Sequence, residues 1–568
     1  MITGEPRQAA SRPRPARRPR LRLRPPRRET AALAAGTAVA AVALFACYLL
    51  QSRTVAVGSD GASQALQAWD LLHGNVLLHG WWVTDVSFYT TEIPQYAAIE
   101  LVHGLSANVM HLAGAMTYTL LVLTAACLAR GRATGAAGVS RALLTAGIML
   151  APQLGAGTQT LVLSPDHTGT SVPVLIIWLL IDRGQERWYA PALVWLGLAW
   201  TAVADAMTLF IAIIPLAGVC ACRVAQGALR DRDVRRRART HRAPRNTGPL
   251  PPRRYELALL AAAVLAIPTE LAATALIRAA GGWQVHGLAT SLGGPGRLEG
   301  NTRLAGQGLL LLFGANVLGA GSALAVTFAI IHLVGVALAI AALVAVFRRL
   351  APRAGRAGLI ESVLLAGIAV DLAGYLVAVQ AVNIFSTREI APVLPFAAVL
   401  AGRVFGDRLI GGGGPRRALR YGLCGVLALY AAMLGYAAAQ PPAAPQYANL
   451  AVWLRARHLT NGLSGYHQAN IVTLESGGLV TLRAVAPTAR GRVRAYAWNA
   501  SLRWFDPSGH AADFLVLTAP KLPDAAGGSG ITVAQAVATF GRPAQRYRYH
   551  AYTILIWPRG ENLLARLR

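Results

Sequence analysis

The run "AALAAGTAVAAVALFACYLL" (Ala31–Leu50) decides what kind of chain this is. Uncharged and mostly apolar, its residues would rise 1.5 Å each in a helix about 30 Å long, the thickness of a bilayer's hydrocarbon core. A basic arm precedes it, with ten arginines between residues 7 and 28. A secretory leader shares those two features. The following "QSRTVAVGSD" (Gln51–Asp60), however, offers no small-x-small cleavage site, so the run is expected to be a retained membrane span.

Similar runs recur along the 568 residues, which are 54% hydrophobic and only 14% charged. Soluble domains carry about a quarter charged residues. The expected fold is a polytopic α-helical membrane protein with about eleven transmembrane helices. They fall near 31–50, 106–128, 141–157, 170–182, 189–203, 206–222, 256–278, 322–347, 359–381, 389–404 and 421–438. The formal charge of +29 is almost all arginine, Lys521 being the one lysine. Eleven arginines lie in 223–254, and the loops "RRLAPRAGR" and "RLIGGGGPRRALR" are basic as well. Arginines clustered beside spans mark the cytoplasmic face and suit anionic lipid headgroups, so no nucleic-acid partner is expected.

Parity then gives a cytoplasmic N-terminus and an external tail in the plasma (inner) membrane. Residues 1–30 are expected to be a disordered cytoplasmic arm. The transmembrane domain would cover 31–440, with external loops 51–105 and 279–315 and a cytoplasmic loop 223–255. At "AAAQPPAAPQ" (437–446) the composition changes. Short β-type runs such as "NIVTLES", "LVTLRAV", "ADFLVLTA" and "YTILIWP" follow, separated by turn residues. Residues 441–568 therefore read as a small C-terminal extracytoplasmic α/β domain. The five cysteines all sit in or beside spans, and Cys220-Ala221-Cys222 has neither the spacing nor the partners of a zinc pair.

An enzyme of membrane substrates would work at the external rim, so polar residues there are the informative set. "VGSDGASQALQAWDLLHGN" (Val57–Asn75) places Asp60 just after the first span. Ala62, Ala65, Leu66, Trp69 and Leu72 share one helical face and Ser63, Gln67, Asp70 and His73 another. The spacing predicts an amphipathic helix lying along the interface with Trp69 as anchor, stopped by Gly74-Asn75. Asp60 is then either a cap on the first-turn amides or a working carboxylate. Asp85 and Glu92 lie further along the same segment, and Asp166 with His167 in "SPDHTGT" (Ser164–Thr170). Arg388 stands at the lip of a late span; Arg297 and Arg303, with Arg278 and His286, lie in the second external segment. Asp205, at a hinge within apolar sequence, is placed to reach the same face, whereas Asp371 and Glu361 read as packing groups. In the tail, "SGYHQAN" (Ser464–Asn470) and "RWFDPSGH" (Arg503–His510) combine the aromatic and amide groups that suit sugar stacking.

An acidic residue opening the first external loop, a helix ending "LLHGN", the element "YTTEIP" (Tyr89–Pro94) and the late "STREIAPVLPFAAVLAGR" (Ser386–Arg403) together resemble the polytopic GT-C glycosyltransferases, of the protein O-mannosyltransferase and aminoarabinose-transferase kind. The resemblance implies transfer of a sugar from a polyprenyl-phosphate donor to an acceptor hydroxyl of protein, lipid or glycan. It assigns Asp60 as catalytic and Arg388 as a phosphate-contacting arginine; the leaving-group charge needs fixed cations, and Arg297 and Arg303 of the second external segment are further candidates for the lipid phosphate. Asp85, Glu92, Asp166 and His167 would position acceptor or sugar. Asp60 is followed by Gly61 where that family often has Glu, and the loop has no D-x-D, so the sequence supports no metal. Competing classes are a transporter or flippase of lipid-linked or glycan substrates, and a non-catalytic protein of the same fold. Sparse intramembrane charge and the absence of an inverted repeat of spans count against transport.

Overall fold

A computed structural model describes residues 28–184, 187–240, 254–286, 292–350, 357–409, 415–518, 530–558 and 560–567. Residues 1–27 of the expected basic arm lie outside that set, as do 241–253, 351–356 and 410–414 of the arginine-rich loops. The chain divides into two compact units, the first ending at Ala43 and the second running from Leu44 to Arg568.

The helical part runs as α1 (Arg28–Ser52), α2 (Ser59–Leu72), β1 (Trp81–Val83), α3 (Glu92–His103), α4 (Asn108–Arg130), α5 (Gly135–Ile148), α6 (Ala156–Leu161), α7 (Thr168–Arg183) and α8 (Ala190–Ala204). It continues with α9 (Ile214–Thr240), α10 (Arg254–Ala279), β2 (Gln284–Val285), α11 (Pro295–Leu312), α12 (Ala323–Leu350), α13 (Leu359–Val377), α14 (Val393–Phe405) and α15 (Pro415–Ala438). Helices occur at every expected span. Among the described residues seven are long and apolar enough to cross a bilayer, and a bent pair makes an eighth. The chain is thus a multi-pass membrane protein, with fewer full-length spans than the sequence count. The shortfall lies in α5, α7 and α8, of 14, 16 and 15 residues. The expected span 141–157 is interrupted, because its helix ends at Ile148 and a new one starts at Ala156.

The bent pair carries a site residue. Ile384–Ile390 is a 3-10 helix, and the axis turns by 52° before Val393–Leu409. Pro392 lies in the break: it has no N–H to give, and its ring would meet the carbonyl of Arg388, four residues back, in a continuous α-helix. The Ala391 N–H instead closes a tighter turn on the Arg388 carbonyl at 3.2 Å.

The tail forms α16 (Ala448–Ala456), β3 (Asn461–Ser464), α17 (Tyr466–Glu475), β4 (Thr481–Pro487), β5 (Val493–Ala495), β6 (Ala500–Ser501), β7 (Phe514–Thr518), α18 (Val533–Phe540), β8 (Gln545–Tyr549) and β9 (Tyr552–Ile556). Six strands make one mixed sheet in the order β5-β4-β3-β7-β9-β8, with β4, β3 and β7 parallel and the flanking strands antiparallel. A second sheet stitches this tail to the two long segments around β1 and β2. β1 pairs in parallel with β2 and antiparallel with β6, placing Trp82 opposite Gln284 and Trp81 opposite Ser501.

Helix α2 is covered by protein on both faces, where its amphipathic pattern predicts one face open to water. It packs between α3 and α17, and Ser63, Gln64 and Gln67 on its polar face are as buried as Ala62, Ala65 and Ala68. One apolar core joins residues 51–105 (Ala62, Tyr96) and the start of α4 (Met110) to the tail (Leu450, Val472, Phe514). The polar stripe was legible as a separate face, but protein covers it rather than water. Trp69 is half-buried and packs on His73 at 4.4 Å, within the helix's own last turns.

Candidate active site

Asp60 sits in the first turn of α2, one residue inside the helix start. The N-cap is Gly58, which makes no side-chain cap, so the capping role considered for Asp60 is not what its carboxylate does. One oxygen accepts a 2.6 Å hydrogen bond from the Tyr466 hydroxyl at the start of α17. The other faces the Arg388 guanidinium at 3.3 Å. Tyr466 is itself fixed: Asn499 donates to its hydroxyl at 3.2 Å, and the Ser59 hydroxyl donates to its carbonyl at 2.8 Å. Ser63 then donates to the Asn499 carbonyl at 2.8 Å, so the polar face of α2 holds the residue that holds Tyr466. Burial, with Asp60 adding to it, pushes the Tyr466 phenol well above its usual range. It therefore remains a hydrogen-bond donor at neutral pH.

Arg388 also approaches Asp166, at 3.8 Å. Gln64 and Ser164 each donate to Asp166 at 2.6 Å, so this carboxylate is held from α2 and from its own loop. Close packing sets that loop: a Cβ on Gly114 of α4 would fall 2.9 Å from the Leu163 backbone carbon. Asp60 and Arg388 are each about a third exposed, whereas Asp166 is mostly covered, so the opening of the site lies at the Asp60–Arg388 pair.

His167 and Glu389, the chain neighbours of Asp166 and Arg388, build a second cluster behind the first. The His167 ring meets Asp205 at 2.9 Å on one nitrogen and Glu389 at 3.6 Å on the other. Asp205 is completely buried and also accepts from the Thr170 hydroxyl at 2.6 Å and the Met207 N–H at 2.8 Å. Burial alone would drive the His167 ring neutral. Glu389 and Asp205 outweigh it and raise the pKa to about 10, so the ring is a cation at neutral pH. Burial opposes ionisation of Asp205 too, yet His167 and its hydrogen bonds bring it below the usual carboxylate value. Glu92, 1% exposed, is pushed up to about 8 by burial, with Asp205 adding to this and the Thr91 hydroxyl opposing it. His167 has φ 53° and Phe88, whose ring packs edge-on at 5.4 Å, has φ 51°. Left-handed backbone at two non-glycine residues in contact costs of order 1–3 kcal/mol each, and such residues gather at functional sites.

Asp60, Asp166, His167 and Arg388 thus come together, with Glu92 behind them. Asp85 does not join: it is exposed in the loop after β1. Nor do the two arginines of α11. Arg297 is exposed and donates to the Val379 carbonyl at 2.8 Å, and Arg303 is exposed without a link to this cluster among the described residues. Glu361 caps the start of α13 through the Gly358 N–H, and Asp371 is buried within the same helix. Among the described residues no three His, Cys, Asp or Glu side chains gather as a metal-binding group. Tyr466, Asn499, Gln64 and Glu389 were not singled out from the sequence. The aromatic and amide content of "SGYHQAN" was the one signal for the tail's contribution.

No protein-family model and no curated protein matches the chain. Among solved structures it is similar to ArnT from Cupriavidus metallidurans bound to undecaprenyl phosphate, with 14% identity and a TM-score of 0.49 over 93% of this chain and 98% of that one. It is also similar to the archaeal oligosaccharyltransferase AglB from Archaeoglobus fulgidus in complex with an inhibitory peptide and a dolichol-phosphate. There the identity is 12% and the TM-score 0.45, over 85% of this chain and 69% of that one. Both are GT-C glycosyltransferases, the group that the sequence resembles.

Proposed function

We propose that the chain is a membrane glycosyltransferase that moves a sugar from a polyprenyl-phosphate donor to an acceptor hydroxyl at the outer face of the plasma membrane. The membrane domain is read as 31–440 and the extracytoplasmic domain as 441–568. Helix direction supports that arrangement. α4, α7 and α14 all start at the Asp60 cluster, and all end at a basic rim where Arg403 pairs with Asp182 at 2.9 Å and Arg132 donates to the Asp182 carbonyl at 3.2 Å. A 23-residue helix such as α4 is about 35 Å long, enough to separate the two faces.

The observation that carries the reading is the pairing of Asp60 with Arg388 at the junction of bent span and soluble tail. In the reaction the acceptor oxygen bonds to the anomeric carbon as the bond from that carbon to the phosphate oxygen breaks. The acceptor proton passes to Asp60, a general base, and polyprenyl phosphate leaves. Asp60 loses one negative charge as the leaving phosphate gains one. Arg388, already between carboxylates, has only to change partner to meet the developing charge. Tyr466 orients Asp60, and Asp166 with the cationic His167 behind it keeps Arg388 at the rim.

The test is release of sugar from a polyprenyl-phosphate sugar by purified protein in lipid. Asp60→Asn keeps size and polarity but removes the base, so turnover should fall by about 100-fold or more. Unchanged turnover in Asp60→Asn rejects the assignment.

A further inference from the structure

The motif "RWFDPSGH" is not used by the site above, and the structure gives it a different role. Arg483 of β4 lines a recess of about 170 Å³ in the tail, with Asn461, Thr481, Trp504 and His510. One ordered water needs about 10–15 Å³, so the space takes more than solvent bridging requires. The guanidinium lies 4.1 Å over the Trp504 ring. Among the described residues Arg483 forms no hydrogen bond and no ion pair, although a guanidinium brings five donors. Burial pulls its pKa down to about 9, Asp70 offsetting part of this, and at neutral pH it stays charged.

The recess is built, not incidental. Thr481 and Arg483 are two apart on β4 and so share one face of the sheet, with Leu482 between them in the core. The opposite wall is the loop after Asp506. Asp506 accepts from the Ser508 N–H at 3.0 Å and hydroxyl at 2.8 Å, and Asn562 donates to the His510 carbonyl at 2.7 Å. Burial and Arg483 lower the His510 pKa, leaving a neutral ring that can donate as well as accept. Trp504 packs edge-on against Trp81 at 4.7 Å, and the Trp81 indole donates to Asp70 at 2.7 Å. The recess therefore leans on the last turns of α2, ten residues or about 15 Å along the helix from Asp60.

We propose that this recess binds an oxyanion, a phosphate or carboxylate carried by a small polar ligand, with Arg483 taking two of its oxygens and Thr481 and Asn461 donating to the remainder. The planar guanidinium fork suits both anions, and Thr481, Asn461 and the neutral His510 ring can each donate beside it. The site is separate from Asp60 and stands whether or not the chain transfers sugar.

The experiment is calorimetric titration of the full-length protein in detergent with inorganic phosphate and, separately, with acetate. Saturable binding is expected, weakened about tenfold or more by Arg483→Gln, the size of one charge-assisted hydrogen bond, and left in place by Arg388→Gln. Tighter phosphate identifies a phosphate ester as the natural group, and tighter acetate a carboxylate. Absence of saturable binding by either ion, or equal binding with and without Arg483, overturns the site. Should Arg483→Gln fail to fold by circular dichroism, Thr481→Val carries the test. It should weaken binding about threefold, and unchanged affinity there overturns the proposal equally.

Discussion

The Tyr466 hydroxyl donates to Asp60 at 2.6 Å across 406 positions of sequence, from the C-terminal tail to the first turn of α2. Among the described residues no group of the helical part donates to that oxygen; Arg388 faces the other one. Tyr466→Phe should therefore leave the span bundle intact while Asp60 loses its orienting donor. A hydrogen bond to a charged group is worth about 1.5–3 kcal/mol, so kcat should drop about 10- to 100-fold with little change in donor KM. Turnover assays with the lipid-linked donor read this directly. An unchanged kcat separates Tyr466 from the chemistry.

Arg388 reaches Asp60 and Asp166 from one guanidinium. Arg388→Lys keeps the charge but loses the planar fork, one nitrogen of which faces both carboxylates. Donor KM should rise about tenfold, the value of one charge-assisted contact, and the thermal midpoint should move little. A structural arginine would show the opposite pattern, a lower midpoint with KM preserved.

These two residues also mark what sequence can and cannot reveal here. Apolar runs of bilayer length locate helices, because the solvent they face is uniform along the run. Arg388, Asp166 and His167 were legible as polar groups at the ends of such runs. Tyr466 and Asn499 were not, since only the docking of α17 on α2 gives them a role, and that contact spans most of the chain. The polar stripe Ser63–Gln67 illustrates the limit: periodicity separates two faces but does not say whether water or protein covers the second. The expected span 141–157 fell short for a related reason: its helix ends at Ile148 and a new one starts at Ala156. Hydropathy sums do not register where a helix breaks.

The buried cluster makes stability depend on pH in one direction above neutrality. His167 titrates near 6.5 when unfolded and about 10 when folded, so its contribution is complete below pH 6.5 and lost as pH rises through about 10. Glu92, raised from 4.5 to about 8, acts the same way: its relative stabilisation is present below 4.5 and lost by about pH 8. The thermal midpoint should fall steadily from pH 6.5 to 10. Glu92→Gln should flatten the lower part of that fall and Asp205→Asn the upper part. Asp205→Ala, which leaves the buried His167 cation with Glu389 alone, should cost about 3 kcal/mol at pH 7. A midpoint in the wild type that is flat across this range would place His167 and Glu92 in an aqueous setting instead.

Gly114 decides how closely α4 can pass the loop that carries Ser164 and Asp166. A Cβ there would meet the Val162 carbonyl oxygen and lie 2.9 Å from the carbonyl carbon and oxygen of Leu163. These are backbone atoms, which have no rotamer to move, so Gly114→Ala must displace the loop. Overpacking of this kind costs about 1–3 kcal/mol. The displacement also shifts the Asp166 carboxylate away from Gln64 and Arg388, so activity should fall more than stability alone accounts for. Gly61→Ala is the control. Its added methyl also meets the movable end of the Met110 side chain, and a Met110→Ala change should relieve that contact but leave the Gly114→Ala defect untouched. Thermal midpoints and donor turnover of the two single variants and the two double variants measure this. Rescue of Gly114→Ala by Met110→Ala would show that side-chain crowding, not the backbone contact with the Asp166 loop, sets the spacing.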